Sequence, residues 1–192
     1  DAAEEAAETL LRTHLAPDGT LARASNDGVP AGPGTLEDYA ALAHGLVCLH
    51  QATQRVAWAE AAIGLVRTVR DRFRAPGGGF LSTPADADAP LGRRPDLHDG
   101  ATPSGTSLLL ATLTRLGLLT GDPSYAQDAR DTIAAQGGGA LRFPLAMPGW
   151  LDAADRLAGP LRSVVIAGRP GSDGLRALAR EFRFLRPLHA VV

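Results

Sequence analysis

Leu49-His50-Gln51-Ala52-Thr53-Gln54-Arg55-Val56-Ala57-Trp58 returns 67 residues later as Leu116-Gly117-Leu118-Leu119-Thr120-Gly121-Asp122-Pro123-Ser124-Tyr125. The two copies run on in register to Ala62 and Ala129. Each reads as the end of one amphipathic helix, a short polar turn, and a second helix opened by an aromatic residue. A unit of this length is one αα-hairpin, which cannot bury its apolar face without stacked neighbours. The chain is therefore expected to be a stack of hairpins.

Outward from that repeat, residues 1–15 read as a helix with Leu10, Leu11 and Leu15 on one face and an acidic first turn. Residues 16–35, rich in Gly, Pro, Ser and Asn, read as a loop. Thr35 and Asp38 have capping-box spacing for a helix over 36–53, and its partner over 56–74 stops at Pro76 and the glycines after it. A long connection, 76–103, is expected to carry a short strand over 79–83. Helices then follow over 105–120, capped by Ser104 or Thr102, over 123–136, opened by Pro123, and within 145–158. These six helices would make three hairpins. After residue 160 the pattern changes to a strand over 162–168, a helix over 173–184 and a strand over 188–192. Val164, Val165 and Ile166 are expected to lie parallel to Ala190, Val191 and Val192. The fold class is mainly α: an αα-hairpin domain over 1–160 and a small strand–helix–strand appendage over 161–192.

Composition narrows the chemistry. The net charge is −2, with no basic stripe, so neither nucleic acid nor an anionic membrane is an expected partner. All 19 basic residues are arginine, which removes Schiff-base chemistry and a P-loop lysine from this chain. The single cysteine, Cys48, excludes an internal disulfide. His44 and Cys48 share a helical face from which His50 points away, so no metal site is expected there. The glycine loop 168–174 lacks dinucleotide-fingerprint spacing, and Pro170 removes an amide donor from it. No cofactor is expected. With no apolar run long enough to span a bilayer and an acidic start where a signal peptide would be basic, a cytoplasmic location is expected.

Four segments occur in a telling order: Leu36-Glu37-Asp38-Tyr39-Ala40, Gly78-Gly79-Phe80, Asp99-Gly100-Ala101-Thr102-Pro103-Ser104-Gly105 and Thr120-Gly121-Asp122, with Ser163–Gly168 closing the series. Together they resemble the C-terminal part of thioredoxin-domain-containing proteins related to spermatogenesis-associated protein 20. The resemblance covers most of the chain, and Asp-Gly-Ala-x-Pro-Ser is its most specific motif. It implies about half of an (α/α)6 toroid similar to six-hairpin glycosidases and N-acylglucosamine 2-epimerases. A thioredoxin-like domain and the N-terminal half of the toroid would be the missing partners. The implied activity is carbohydrate binding or chemistry, as a hydrolase or isomerase, with a sugar as ligand. The chain departs from the pattern at Thr106, where many members have Asn, at His98, where Tyr is usual, and at Gln54-Arg55, which replace Gly-Asp.

By the repeat offset, the segments before helices 36–53 and 105–120 open on the same rim. Asp38 and Asp99 are the candidate acid and base, with Glu37 and His98 beside them as further catalytic candidates. Tyr39 and Phe80 are candidate stacking rings, and Ser104 and Thr106 candidate polar contacts, for a sugar. Each residue also has a structural reading: Asp38 as a cap, Asp99 as a turn former, His98 as an exposed loop side chain. The competing functional reading is a non-catalytic helical module accessory to a redox domain.

Overall fold

The computed structural model describes residues 1–192 except 91, 161, 170, 186–189 and 192. Its first helix, α1 (Ala2–His14), is capped by Asp1, whose carboxylate accepts from the amides of Ala3 and Glu4. The segment expected to be a loop instead holds an antiparallel hairpin, β1 (Ala22–Asn26) and β2 (Val29–Pro33). Its turn sits on Asp27 and Gly28, both at positive φ (48° and 79°), the geometry that Asp-Gly supplies to two-residue hairpins. Nine of its ten strand residues are exposed, so it lacks the alternation that marks a half-buried strand.

The helical body follows as α2 (Leu36–Thr53), α3 (Val56–Arg72), α4 (Gly105–Thr120), α5 (Pro123–Gln136) and α6 (Pro148–Ala158). Helices α2, α4 and α6 pack side by side, with α3 and α5 as their hairpin partners. The structure thus has two complete hairpins, α2–α3 and α4–α5, flanked by the single helices α1 and α6, where the sequence suggested three. The repeat holds to the atom. Thr53 and Thr120 each donate to the carbonyl four residues back, Leu49 and Leu116, at 2.7 Å. Both hydroxyls then accept from the amide two residues on, at 3.3 and 3.2 Å. Gln54 and Gly121 both adopt the left-handed C-cap, and Ala62 and Ala129 are both fully buried. His50 closes the first turn, its ring Nδ1 lying 3.0 Å from the Arg55 carbonyl.

One core runs through these helices and includes Leu36, Leu46, Leu65, Phe73, Leu109, Leu113 and Trp150. Burying side chains of this size contributes about 1.5–3 kcal/mol each. Across the first interface Arg70 and Arg74 of the α3 end reach the Asp128 carboxylate of α5, both at 2.6 Å. Arg70 also lies over the Tyr125 ring, 4.1 Å from its centroid. The expected strand over 79–83 is only an isolated bridge, Arg74 to Phe80. Phe80 itself is fully buried.

The C-terminal segment forms β3 (Arg162–Ser163), α7 (Asp173–Leu185) and β4 (Ala190–Val191). The two strands pair in parallel, Arg162 with Ala190 and Ser163 with Val191. The expected pairing of Val164–Ile166 is corrected: these residues lie beyond the strand, and Val165 is 86% exposed. A two-residue parallel pair has no wider sheet to propagate into. Leu188, His189 and Val192 of the expected second strand lie outside the described residues.

Candidate functional site

The amino ends of α2, α4 and α6 meet at one rim, and two glycines allow the approach. A Cβ on Gly105 would stand 2.7 Å from the Glu37 amide nitrogen, so only glycine lets α4 abut the start of α2. A Cβ on Gly149 would stand 2.6 Å from that of Ser107, and the same restriction seats α6 on α4. Gly105 belongs to the motif Asp99–Gly105, which ties that motif's last residue to helix packing.

Three converging helix ends leave unpaired amides, and three carboxylates take them. Asp38 accepts from the Thr35 amide at 2.7 Å and its hydroxyl at 2.8 Å, with Arg23 at 3.4 Å. Asp96 accepts from the Gly105 amide at 2.7 Å. Asp99 accepts from the amides of Ser104 and Gly149, both at 2.8 Å, and so bridges α4 to α6. Burial alone would raise the Asp99 carboxyl pKa, but hydrogen bonds from Ser107, Ser104 and Gly149 outweigh it and hold the group below the usual carboxylate value. Asp99 is thus a stabilised anion.

The long connection crosses this rim and is stitched to it. Leu36 donates its amide to the Ser82 carbonyl, Ser82 to that of Arg94, and Asp99 to that of Ala146. The Trp150 indole donates to the Leu97 carbonyl at 3.0 Å. Beside the crossing lies a polar cleft of about 300 Å³ lined by Arg23, Thr35, Glu37, Ser82, Pro95 and Asp96.

Among the sequence candidates, Glu37 is exposed and lines this cleft, and His98 is exposed on the connection. Asp38 and Asp99 sit at the rim as capping groups. Two aromatic candidates are corrected. Tyr39 is 1% exposed, its hydroxyl accepting from the Leu21 amide and donating to the Gly19 carbonyl. Phe80 is fully buried under the Arg74 guanidinium. Neither ring face is open to a sugar, because each fills the core that the helix ends enclose. Ser104 caps α4, accepting from the Ser107 amide, and Thr106 is fully buried with no partner for its hydroxyl. Asp96 was missed by sequence reasoning: Pro95-Asp96-Leu97 carries no cap spacing, and its partner Gly105 lies nine residues on. No group of histidine, cysteine and acidic residues among the described residues could hold a metal ion. No described helix is long and apolar enough to cross a membrane.

Stacked αα-hairpins with a capped polar rim define the class: a helical-hairpin protein. No family model matches the chain. It is 34% identical over 172 residues to spermatogenesis-associated protein 20 of Mus musculus, covering 88% of this chain and 21% of that protein. It is 32% identical over 174 residues to the Homo sapiens protein of the same name, covering 89% and 22%. The chain is therefore related by sequence to spermatogenesis-associated protein 20, and it spans about a fifth of the length of the curated relatives it matches.

Proposed function

We propose that this chain is a non-catalytic arc of a larger ring of αα-hairpins, whose rim cleft binds a polyhydroxylated ligand of the neutral-carbohydrate class. The observation that carries the reading is the division among the rim carboxylates. Asp38 and Asp99 are committed to the Thr35, Ser104 and Gly149 amides. Glu37 instead lines an open polar cleft with Arg23 and Ser82, where Asp96, itself tied to the Gly105 amide, adds a second carboxylate. Sugar hydroxyls donate to carboxylates and accept from a guanidinium, which suits that lining. A general acid needs a raised pKa, whereas that of Asp99 is lowered, so hydrolysis by an Asp38–Asp99 pair is disfavoured.

The arc reading is supported by an apolar groove of about 750 Å³ between α1 and α2, lined by small residues that include Ala7, Ala41, Gly45 and Ala52. A further inner helix packs against α2 there in the proposed ring, as α4 does on the other flank. The remaining hairpins and a thioredoxin-like domain are the proposed partner modules.

The test is calorimetric titration of mono- and disaccharides into the full-length protein that contains this chain, beside its Glu37→Gln variant. Saturable binding should weaken about tenfold in the variant, close to 1.4 kcal/mol, with no turnover by either protein. Turnover lost in Asp38→Asn or Asp99→Asn would establish a hydrolase or isomerase instead. Absence of binding would leave the second reading, a scaffold accessory to a redox domain, which the α1–α2 groove favours.

A further inference from the structure

The sequence pattern writes a strand over 162–168, yet β3 ends at Ser163. Beyond it the side chains still alternate: Val164 and Ile166 are half-buried, while Val165 and Ala167 are exposed. Period-two burial with β-branched residues at three successive positions belongs to an extended strand covered on one face. No hydrogen bond among the described residues engages the backbone of Val165, Ile166 or Ala167. The ladder stops while the strand pattern continues, so these amides and carbonyls lack a described partner.

The neighbouring elements tell the same story. Strands β3 and β4 form a two-stranded sheet that packs against α4. Helix α7 carries Leu175, Leu178, Phe182, Phe184 and Leu185, yet none of its described side chains is buried. A parallel sheet is stable as a wider layer with both faces covered, and this pair is too small to provide one.

An unpaired strand edge is a row of donors and acceptors that another extended backbone satisfies. Charge decides which one. Residues 161–192 hold six arginines against Asp173 and Glu181, a net charge of +4, whereas residues 1–160 carry −6. Arg162 and Arg169 flank the edge. Antiparallel pairing with a second copy about Val165 would bring Arg162 of each copy next to Arg169 of the other, and like charges across strands are destabilising. A strand with acidic ends turns that repulsion into attraction.

We propose that residues 163–167 are a strand-acceptor edge, filled by an extended apolar segment with acidic ends from the part of the full-length protein outside residues 1–192. The chain spans about a fifth of the length of its curated relatives, and a tethered strand acts at an effective concentration on the order of millimolar. On docking, Val164–Ile166 join β3, the sheet gains a third strand, and α7 gains a wider layer to cover. The edge is independent of the rim cleft and of any sugar.

The test is hydrogen exchange read by mass spectrometry on the full-length protein and on the 192-residue chain. In the chain alone, amides 165–167 should exchange close to the unprotected rate at every protein concentration. In the full-length protein they should slow about a hundredfold. Val165→Pro removes an amide from the edge at an exposed position, and in the full-length protein it should release this protection while leaving α4 amides unchanged. Val165→Ala, which keeps the amide, should retain it. Arg162→Glu combined with Arg169→Glu repels the acidic ends, should lessen protection several-fold, and serves if the Pro variant fails to fold. Fast exchange in both proteins overturns the proposal, as does protection undiminished by the Pro and Glu substitutions. Protection that grows with concentration in the isolated chain would place a second copy at the edge and overturn it too.

Discussion

At Asp99 and His44 the same fold displaces two protonation equilibria downward, for different reasons. Burial would raise the Asp99 carboxyl, and three sets of hydrogen bonds more than reverse it. Burial lowers His44 to about 4, with Arg115 and Arg156 adding to the effect. The linkage signs follow. Asp99 has a folded pKa below its unfolded value of 3.8, so its stabilisation is present above that value and is lost as pH falls through the folded one. His44 is neutral in the fold, while the unfolded chain takes up a proton below 6.5, so stability falls as pH drops from 6.5 towards 4. Urea denaturation across pH should therefore show two descending segments. His44→Gln should flatten the upper one and Asp99→Asn the lower one. Profiles of the same shape in all three proteins would contradict both assignments.

The α2–α3 and α4–α5 hairpins differ in one telling position. Both close with a left-handed C-cap, at Gly121 in the second and at Gln54 in the first, with φ of 72° and 59°. A side chain in that conformation costs about 1 kcal/mol, which glycine avoids. Gln54 recovers part of this through its side-chain amide, which donates to the Gln51 carbonyl at 3.1 Å. Gln54→Gly should raise stability by about 0.5 kcal/mol, read as a higher urea midpoint at unchanged m value. A lower midpoint would show that the Gln51 contact outweighs the backbone strain. The repeat was legible because both turns use the same threonine bonds, which sequence spacing records. The β1–β2 hairpin was not, although Asp27-Gly28 signals a tight turn. Its exposed residues carry no alternating pattern, and an Asp-Gly pair alone is equally at home in an irregular loop.

Across the whole molecule, stability should be graded by how many neighbours each helix has. Nine residues of α4 are buried, whereas α1 buries only Ala7 and leaves Leu10 40% exposed. The Glu4 carboxylate on Arg55, at 2.7 Å, is a partly exposed tie and holds α1 only weakly. Helix α7 exposes Leu178, Phe184 and Leu185. Hydrogen exchange should accordingly show amides of α1 and α7 opening early and those of α4 last, near the global unfolding limit. Protection of α1 equal to that of α4 would show that α1 folds as one unit with the inner helices and that the α1–α2 groove is closed in solution.

The sequence by itself determined the helices, their hairpin register, the rim on which Asp38 and Asp99 open, and the parallel sense of the C-terminal pairing. Those features rest on local periodicity, caps and turns, which a chain carries in neighbouring residues. Tertiary structure alone decided what the rim side chains do. Tyr39 and Phe80 could have been stacking platforms or core, and only the packing of α2, α4 and the crossing connection turned them inward. Asp99 could have been a proton donor, until the Gly149 amide, 50 residues away in the chain, became its partner. The same holds for Asp96 on Gly105. Charge, burial and hydrogen bonding at a site are set by groups distant in sequence, and residue order alone does not say which of them will meet.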